Sequence, residues 1–319
     1  MKHRNLAGYL FASPWIAGFL LLVAWPFAAS IYWSFCRFDL INPPELIGLD
    51  NYQRLMDELR EGRGFAVALR NTAYYALLSV PLSIVVGLLL AVMLSWKIRG
   101  QAIYRTVFYL PAVIPIVATS ILWMWLLDPQ DGMVNYLLSW LGVPGQNWLT
   151  QARSAVSPGG VETVAGWMSG NNDLTLFGSK DALVLMSVWA VGNAMIIFLA
   201  AIGDVPDSLY EAATIDGAGK IRKFWHVTLP MLSPVILFNL VMGLIKSVQT
   251  FTSIYILSEG TGQPGESLLV FALHLFLSAF ADLEMGYASA MAWVTFVILV
   301  VCTLLLFRSS RHWVYYSSQ

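Results

Sequence analysis

Six stretches of this chain, at about 9–33, 72–96, 105–127, 182–203, 231–257 and 284–307, run for twenty residues or more with at most one charged side chain each. An α-helix needs about 20 apolar residues to cross a bilayer core. Lipid offers no partner to backbone N–H and C=O groups, so such runs are expected as helices that close their own hydrogen bonds. The fold class expected is therefore all-α, polytopic, with six transmembrane helices in a single membrane domain over 1–319. Composition agrees: 58% of residues are hydrophobic and 12% charged, where a soluble domain carries about a quarter charged. Ser267 to Ala281 forms another apolar run, with His274 in its middle, but it is too short to span comfortably and reads as an interfacial or re-entrant helix.

The start has the basic head and small residues of a secretory signal. Its apolar stretch from Leu6 to Phe35, however, well exceeds the roughly 7–15 residues of a signal core, so an uncleaved first helix is expected. Orientation follows Lys and Arg, which favour the cytoplasmic side. With six spans, Lys2 and Arg4, then Lys97, Arg99 and Arg105, then Lys220, Arg222 and Lys223, and finally Arg308 and Arg311 all share one side. Both termini and the segment 204–230 are then cytoplasmic. The last opposite loop holds Glu259, Glu266 and Asp282 without Lys or Arg, and the long insert at about 128–181 faces out. Net charge is −1, which argues against a nucleic-acid partner. Cys36 and Cys302 fall near opposite ends of their runs, so a bridge between them is not expected.

Within the second run, Ser79, Ser83, Gly87, Ala91 and Ser95 recur every four residues. Small residues let helices approach in lipid, so they read as a packing seam, against this chain or a second subunit. The fifth run places Asn239, Gly243, Lys246, Thr250 and Ser253 on one helical face, with Lys246 near mid-span. A lysine there costs several kcal/mol unless it meets a watery cavity or an acid; a polar pathway and an ion pair with a partner both fit. Trp189 and Asn193, one turn apart in the fourth run, suit a sugar's flat face and hydroxyls, although a buried Asn also serves simply to bond a neighbouring helix. Most tryptophans sit near span ends, the ordinary interfacial belt.

Two glycine patterns carry no nucleotide site. Gly260–Gly265 lacks a strand–turn–helix context, and Gly217–Lys220 lacks both the earlier Gly and the following Ser or Thr of a phosphate loop. No catalytic cluster or Cys/His metal spacing is present. The segment "EAATIDGAGKIRKFWHVTLP", 211–230, interrupts two apolar runs with charge and small residues. Ser208 and Glu211 stand at capping-box spacing for a short helix. Asp216-Gly217 is a turn, and a second short helix follows, ended by Pro230. The residues alone give a cytoplasmic helix–turn–helix, either a docking element or an amphipathic loop resting on headgroups.

That segment resembles the EAA loop of permease subunits of binding-protein-dependent ABC importers, through Glu211, Ala212, Ala213, Gly217, Leu229 and Pro230, with Val227 where Ile is usual. The continuation Asp216–Ala218, with "GLDNYQRL", "RTVFYLPAVIP" and "MGYASAMAWVTF", is similar to the carbohydrate-uptake branch of maltose, lactose and glycerol-3-phosphate permeases. The resemblance implies a coupling helix seated on a cytoplasmic ATPase, with Glu211 making a polar contact there and Gly217 permitting the turn. It implies a second, related permease, two ATPase subunits that bind the ATP, and an external solute-binding protein. It also implies a site in the bacterial cytoplasmic membrane, surrounded by lipid, and no cofactor on this chain. The insert around 152–177 is longer than usual for that branch. The competing classes are a stand-alone secondary transporter or channel, which internal repeats and acids within the spans would favour, and a membrane enzyme, which a catalytic cluster would favour. The sequence shows neither feature.

Overall fold

A computed structural model of the protein describes residues 2–96, 99–143, 145–149 and 178–315; the insert at 152–177 lies outside them. The described chain is mostly helical. Its strands are Cys36–Arg37 and Glu45–Leu46, paired antiparallel. Four helices are long and apolar enough to cross a membrane, at Phe11–Ser34, Phe65–Ser95, Lys220–Val248 and Met285–Ser310. Two further pairs pass together, each sharply bent: Gln101–Val113 with Ile116–Leu126, at 97°, and Ser179–Trp189 with Gly192–Gly203, at 42°. The spans therefore number four, or six with each bent pair counted once. The short helix Phe271–Ala281 does not reach spanning length.

The chain divides into two compact units. The first, residues 1–66 and 274–298, begins with α1 (Lys2–Phe19), which runs through a π turn into α2 (Trp25–Ser34). The hairpin Cys36–Arg37/Glu45–Leu46 and α3 (Asp50–Glu61) follow. "GLDNYQRL" does structural work here. The Asn51 amide donates to the carbonyls of Ser34 and Cys36, at 3.0 and 2.9 Å, and the Tyr52 hydroxyl to Ser34 Oγ at 2.8 Å. Gly286 admits the hairpin because a Cβ there would lie 2.0 Å from the Cys36 carbonyl oxygen. Glu58 is buried, and its carboxylate accepts from the Phe65 amide at 2.7 Å. Arg54 bridges Glu284 at 2.8 Å and lies 4.0 Å from the centre of the Tyr287 ring. Partial burial alone would lower the Arg54 pKa, but Glu284, with Tyr287 and Glu58 adding to it, more than offsets that and the net shift is upward.

The second unit holds residues 67–273 and 299–319. Its scaffold is α4 (Phe65–Ser95), α5 (Gln101–Val113), α6 (Ile116–Leu126), α7 (Met133–Trp140), α8 (Ser179–Trp189), α9 (Gly192–Gly203), α10 (Asp207–Ile215), α11 (Lys220–Lys223), α12 (Leu229–Val248) and α13 (Thr252–Leu257). Leu88, Ala91, Met195, Phe198 and Leu232 from α4, α9 and α12 form a close-packed core. Gly192 lets α9 rest on α5, since a Cβ there would meet Tyr109 Cα at 2.9 Å.

Four expectations of the sequence change here. The third run is not one straight span: Pro115 lacks an amide hydrogen and drives Ile114 to ψ 133°, breaking the helix between α5 and α6. The fourth breaks after Trp189. The fifth does not continue to 257; it ends at Val248 and restarts at Thr252, because "VQTF" is poor in strong helix formers. Pro230 ends nothing. The helix that starts at Lys220 widens into a π turn at Phe224–Thr228 and runs on through Pro230, which occupies the first turn of α12. A proline and a π turn are both places where the regular helical hydrogen-bond ladder is interrupted.

Candidate functional site

Two features of the second unit concentrate the polar chemistry. The first is the hairpin of α10 and α11. No side chain caps α10, whose N-cap is Pro206, so the capping box expected from Ser208 and Glu211 does not form. Its C-terminus is closed instead by backbone. The Ala218 amide donates to Ala213 at 2.8 Å and the Gly217 amide to Thr214 at 3.0 Å, with Gly217 at φ +74°. That is the reciprocal pattern of a glycine-ended helix, and Asp216 is the C-cap. The turn is clamped from the side. Lys223 Nζ donates to Thr214 Oγ1 at 2.6 Å, the hydroxyls of Tyr210 and Thr228 lie 3.0 Å apart, and Lys220 Nζ sits 5.4 Å from the Trp96 ring centre. Glu211, Ala212, Asp216 and Gly217 are exposed, Ala213 partly so, and Leu229 and Pro230 are half-buried where the hairpin joins α12. Ile215 is 87% exposed and Ile221 78%, so the hairpin presents apolar side chains among its charges.

The second feature is a cavity of about 340 Å³ walled by α4, α8, α9 and α12. Its polar groups are hydroxyls and amides. Tyr75 stands with Ser79, Ser187 and Thr250, Ser83 lies one turn along α4, and Asn193 and Asn239 face in from α9 and α12. Phe238 and Tyr75 supply rings, and Lys246 supplies the one positive charge; Asp and Glu are absent from the wall. Asn239 donates to the Val235 carbonyl at 2.9 Å. Thr250 Oγ1 donates to the Lys246 carbonyl at 3.0 Å. Gly243 keeps α12 close to α4: a Cβ there would meet Val80 Cγ1 at 2.6 Å.

The cavity gathers four of the six residues expected from the sequence, Asn193, Asn239, Lys246 and Thr250, and omits two. Trp189 precedes the bend between α8 and α9, so it does not share a face with Asn193; its ring meets Trp123 edge-on at 5.8 Å. Ser253 is buried in α13, beyond the break at 249–251 that ends the shared helical face. Lys246 is not mid-helix: it occupies the last turn of α12, where a cation suits the negative end of the helix dipole. The small-residue seam also divides. Ser79 and Ser83 line the cavity, while Gly87 meets Ala194 and Ala91 joins the core. Tyr75 and Ser187 were not anticipated. The signal available was the register of Tyr75 with Ser79 on one face of α4.

The sequence profile of the family described as "Binding-protein-dependent transport system inner membrane component" matches residues 83–314. The chain belongs to this family. It is a transport subunit of an ABC importer, a multi-pass membrane protein rather than a stand-alone transporter, and not itself the ATPase. The permease is 41% identical to the probable ABC transporter permease protein YesP of Bacillus subtilis, over 100% of this chain and 95% of that protein. It is 30% identical to the lactose transport system permease protein LacF of Rhizobium radiobacter, over 97% and 96%. It is 29% identical to the arabinooligosaccharides transport system permease protein AraP of Halalkalibacterium halodurans, over 94% and 86%. Its fold matches a chain in the crystal structure of a bacterial alginate ABC transporter with an alginate pentasaccharide-bound periplasmic protein, with TM-score 0.75 and 24% identity over 97% and 96% of the two chains.

Proposed function

We propose that this permease supplies one half of a carbohydrate pathway across a bacterial cytoplasmic membrane, with both termini and the 204–230 hairpin on the cytoplasmic side. The observation that carries the reading is the cavity: hydroxyls, amides and two rings between the helices of a chain whose relatives include permeases named for lactose and arabinooligosaccharides. Sugars are bound by such combinations, because hydroxyls pair with amides while the ring's apolar face rests on an aromatic. Asn193 makes no side-chain hydrogen bond among the described residues, so its amide remains available to a solute.

The hairpin seats on a cytoplasmic ATPase subunit. Glu211 makes a polar contact there, the small Ala212 and Ala213 permit close approach, and Ile215 loses its exposure to water. Gly217 and Asp216 hold the turn, and Leu229 and Pro230 pass its movement into α12, which walls the cavity. A second related permease completes the pathway, two ATPase subunits hold the ATP, and an external binding protein delivers the solute. Reconstitution with those partners tests this. Asn193→Ala and Asn239→Ala should each lower sugar uptake about tenfold, the worth of one or two lost hydrogen bonds, while the ATPase still co-purifies. Unchanged uptake in both variants would remove the cavity from the route.

A further inference from the structure

We propose that the solute passing this cavity is an acidic saccharide, its carboxylate paired with Lys246. The inference rests on the carbohydrate reading above and narrows it. Lys246 is the one charged side chain of the wall, and among the described residues it enters no ion pair. A lysine placed between membrane helices persists where water or an anion meets it. The wall itself provides no anion; its other polar groups are neutral hydroxyls and amides. Lys246 is exposed and stands at the negative end of the α12 dipole, and a solute that brings one negative charge adds an ion pair there that a neutral sugar cannot make.

The count of charges favours a carboxylate over a phosphomonoester. A phosphomonoester carries about −1.5 to −2 at neutral pH, more than one ammonium balances, while a uronate carries a single charge. Further along, Lys180 lies seven residues before Ser187 in α8, two turns away on the same face, and it lies close enough to Arg70 to feel its charge. Asp181 beside it is engaged by the Tyr74 hydroxyl at 2.7 Å and the Gly178 amide at 3.1 Å. Lys180 is thus a second cation on the helix that leads to the cavity, with Asp181 as its acidic neighbour. The volume of about 340 Å³ sits at the lower end of the range of about 300–1,000 Å³ for ligand pockets, matching one or two sugar units in this half of the pathway.

The test uses the complete importer, with its partner permease, ATPase subunits and binding protein, in proteoliposomes. Uptake is measured for a panel of uronic-acid disaccharides, each against the neutral disaccharide in which the carboxylates are reduced to alcohols. At least one uronide should enter at least tenfold faster than its neutral counterpart. Lys246→Met should cut that charged-to-neutral ratio at least tenfold, and Lys246→Arg should keep most of it. Equal uptake of charged and neutral partners, or a ratio untouched by Lys246→Met, overturns the inference while leaving a sugar importer. Loss of assembly in Lys246→Met also overturns it, because the lysine then answers an acid of the second permease. If no saccharide of either kind enters an importer whose ATPase is active, the carbohydrate reading falls with it.

Discussion

The hairpin takes its geometry from neighbours in sequence: Ala213, Thr214, Gly217 and Ala218 close one turn, and Lys223 clamps it from nine residues beyond Thr214. The cavity takes Tyr75, Asn193 and Lys246 from three distant segments, and depends on glycines that bring their helices together. The hairpin is exposed and its apolar side chains face outward, as suits a part that another subunit will cover. The cavity is a cleft whose walls are helices of this chain. A substitution in the first should spare the permease and disconnect it, whereas one in the second should leave it connected and obstruct it.

The largest effect is expected at the turn. Gly217→Val forces a branched side chain into the left-handed region at φ +74°, at a cost of about 1–2 kcal/mol or more, and it adds bulk where the ATPase must approach. Combined with Glu211→Arg it should lower uptake about a hundredfold or more, the scale of a lost interface hot spot, with the ATPase absent from the purified complex. Retention of the ATPase and of uptake would separate the hairpin from coupling. Gly243→Leu should come next. Its first added carbon would meet Val80 Cγ1 at 2.6 Å, and overpacking of that kind costs about 1–3 kcal/mol. The expected result is uptake reduced about tenfold with the ATPase still bound and its basal hydrolysis intact. Loss of the ATPase in this variant would erase the distinction between the two regions.

Gly192→Ala should be milder in transport and visible mainly in stability. The new methyl would press on Tyr109 Cα and the Phe108 carbonyl, at 2.9 and 3.0 Å, and backbone yields less readily than side chains. A lower unfolding temperature in detergent, with uptake per folded complex close to normal, is the expected pattern.

How much could be read in advance follows the same division. The hairpin was legible because its signals are local: a small-residue helix, Asp-Gly at the turn, and cations after it. Its cap was not: the helix begins at Asp207 with Pro206 as N-cap, which puts Ser208 inside the first turn rather than at the cap. In the cavity, helical periodicity puts Asn239 and Lys246 on one face of α12, and Thr250, in the break that follows, lines the same space. Periodicity failed wherever the helix stopped being regular. The break at 249–251 removed Ser253, and the bend after Trp189 separated that ring from Asn193. Spacing arguments assume an unbroken helix, and of the breaks Pro115 is announced most plainly by sequence chemistry, more so than the weak helix formers at 248–251.

Trp189 and Ser253 therefore offer the smallest expected effects and a sharp check on the geometry. Trp189→Phe keeps an aromatic edge against Trp123, a contact worth about 0.5–1.5 kcal/mol beyond burial, and removes an indole that does not face the cavity. Ser253→Ala deletes one hydroxyl in α13, away from the wall. Each should change uptake by less than about twofold, because nothing that meets the solute is altered and the loss of packing is small on the scale of ordinary point substitutions. Kinetics in the reconstituted importer decide the matter. A loss at Trp189 as large as that at Asn193 would mean that α8 and α9 straighten in the working assembly and bring the two residues back onto one face. In that case the 42° bend would be one position of a moving joint, and the pathway would extend past Trp189 toward α6.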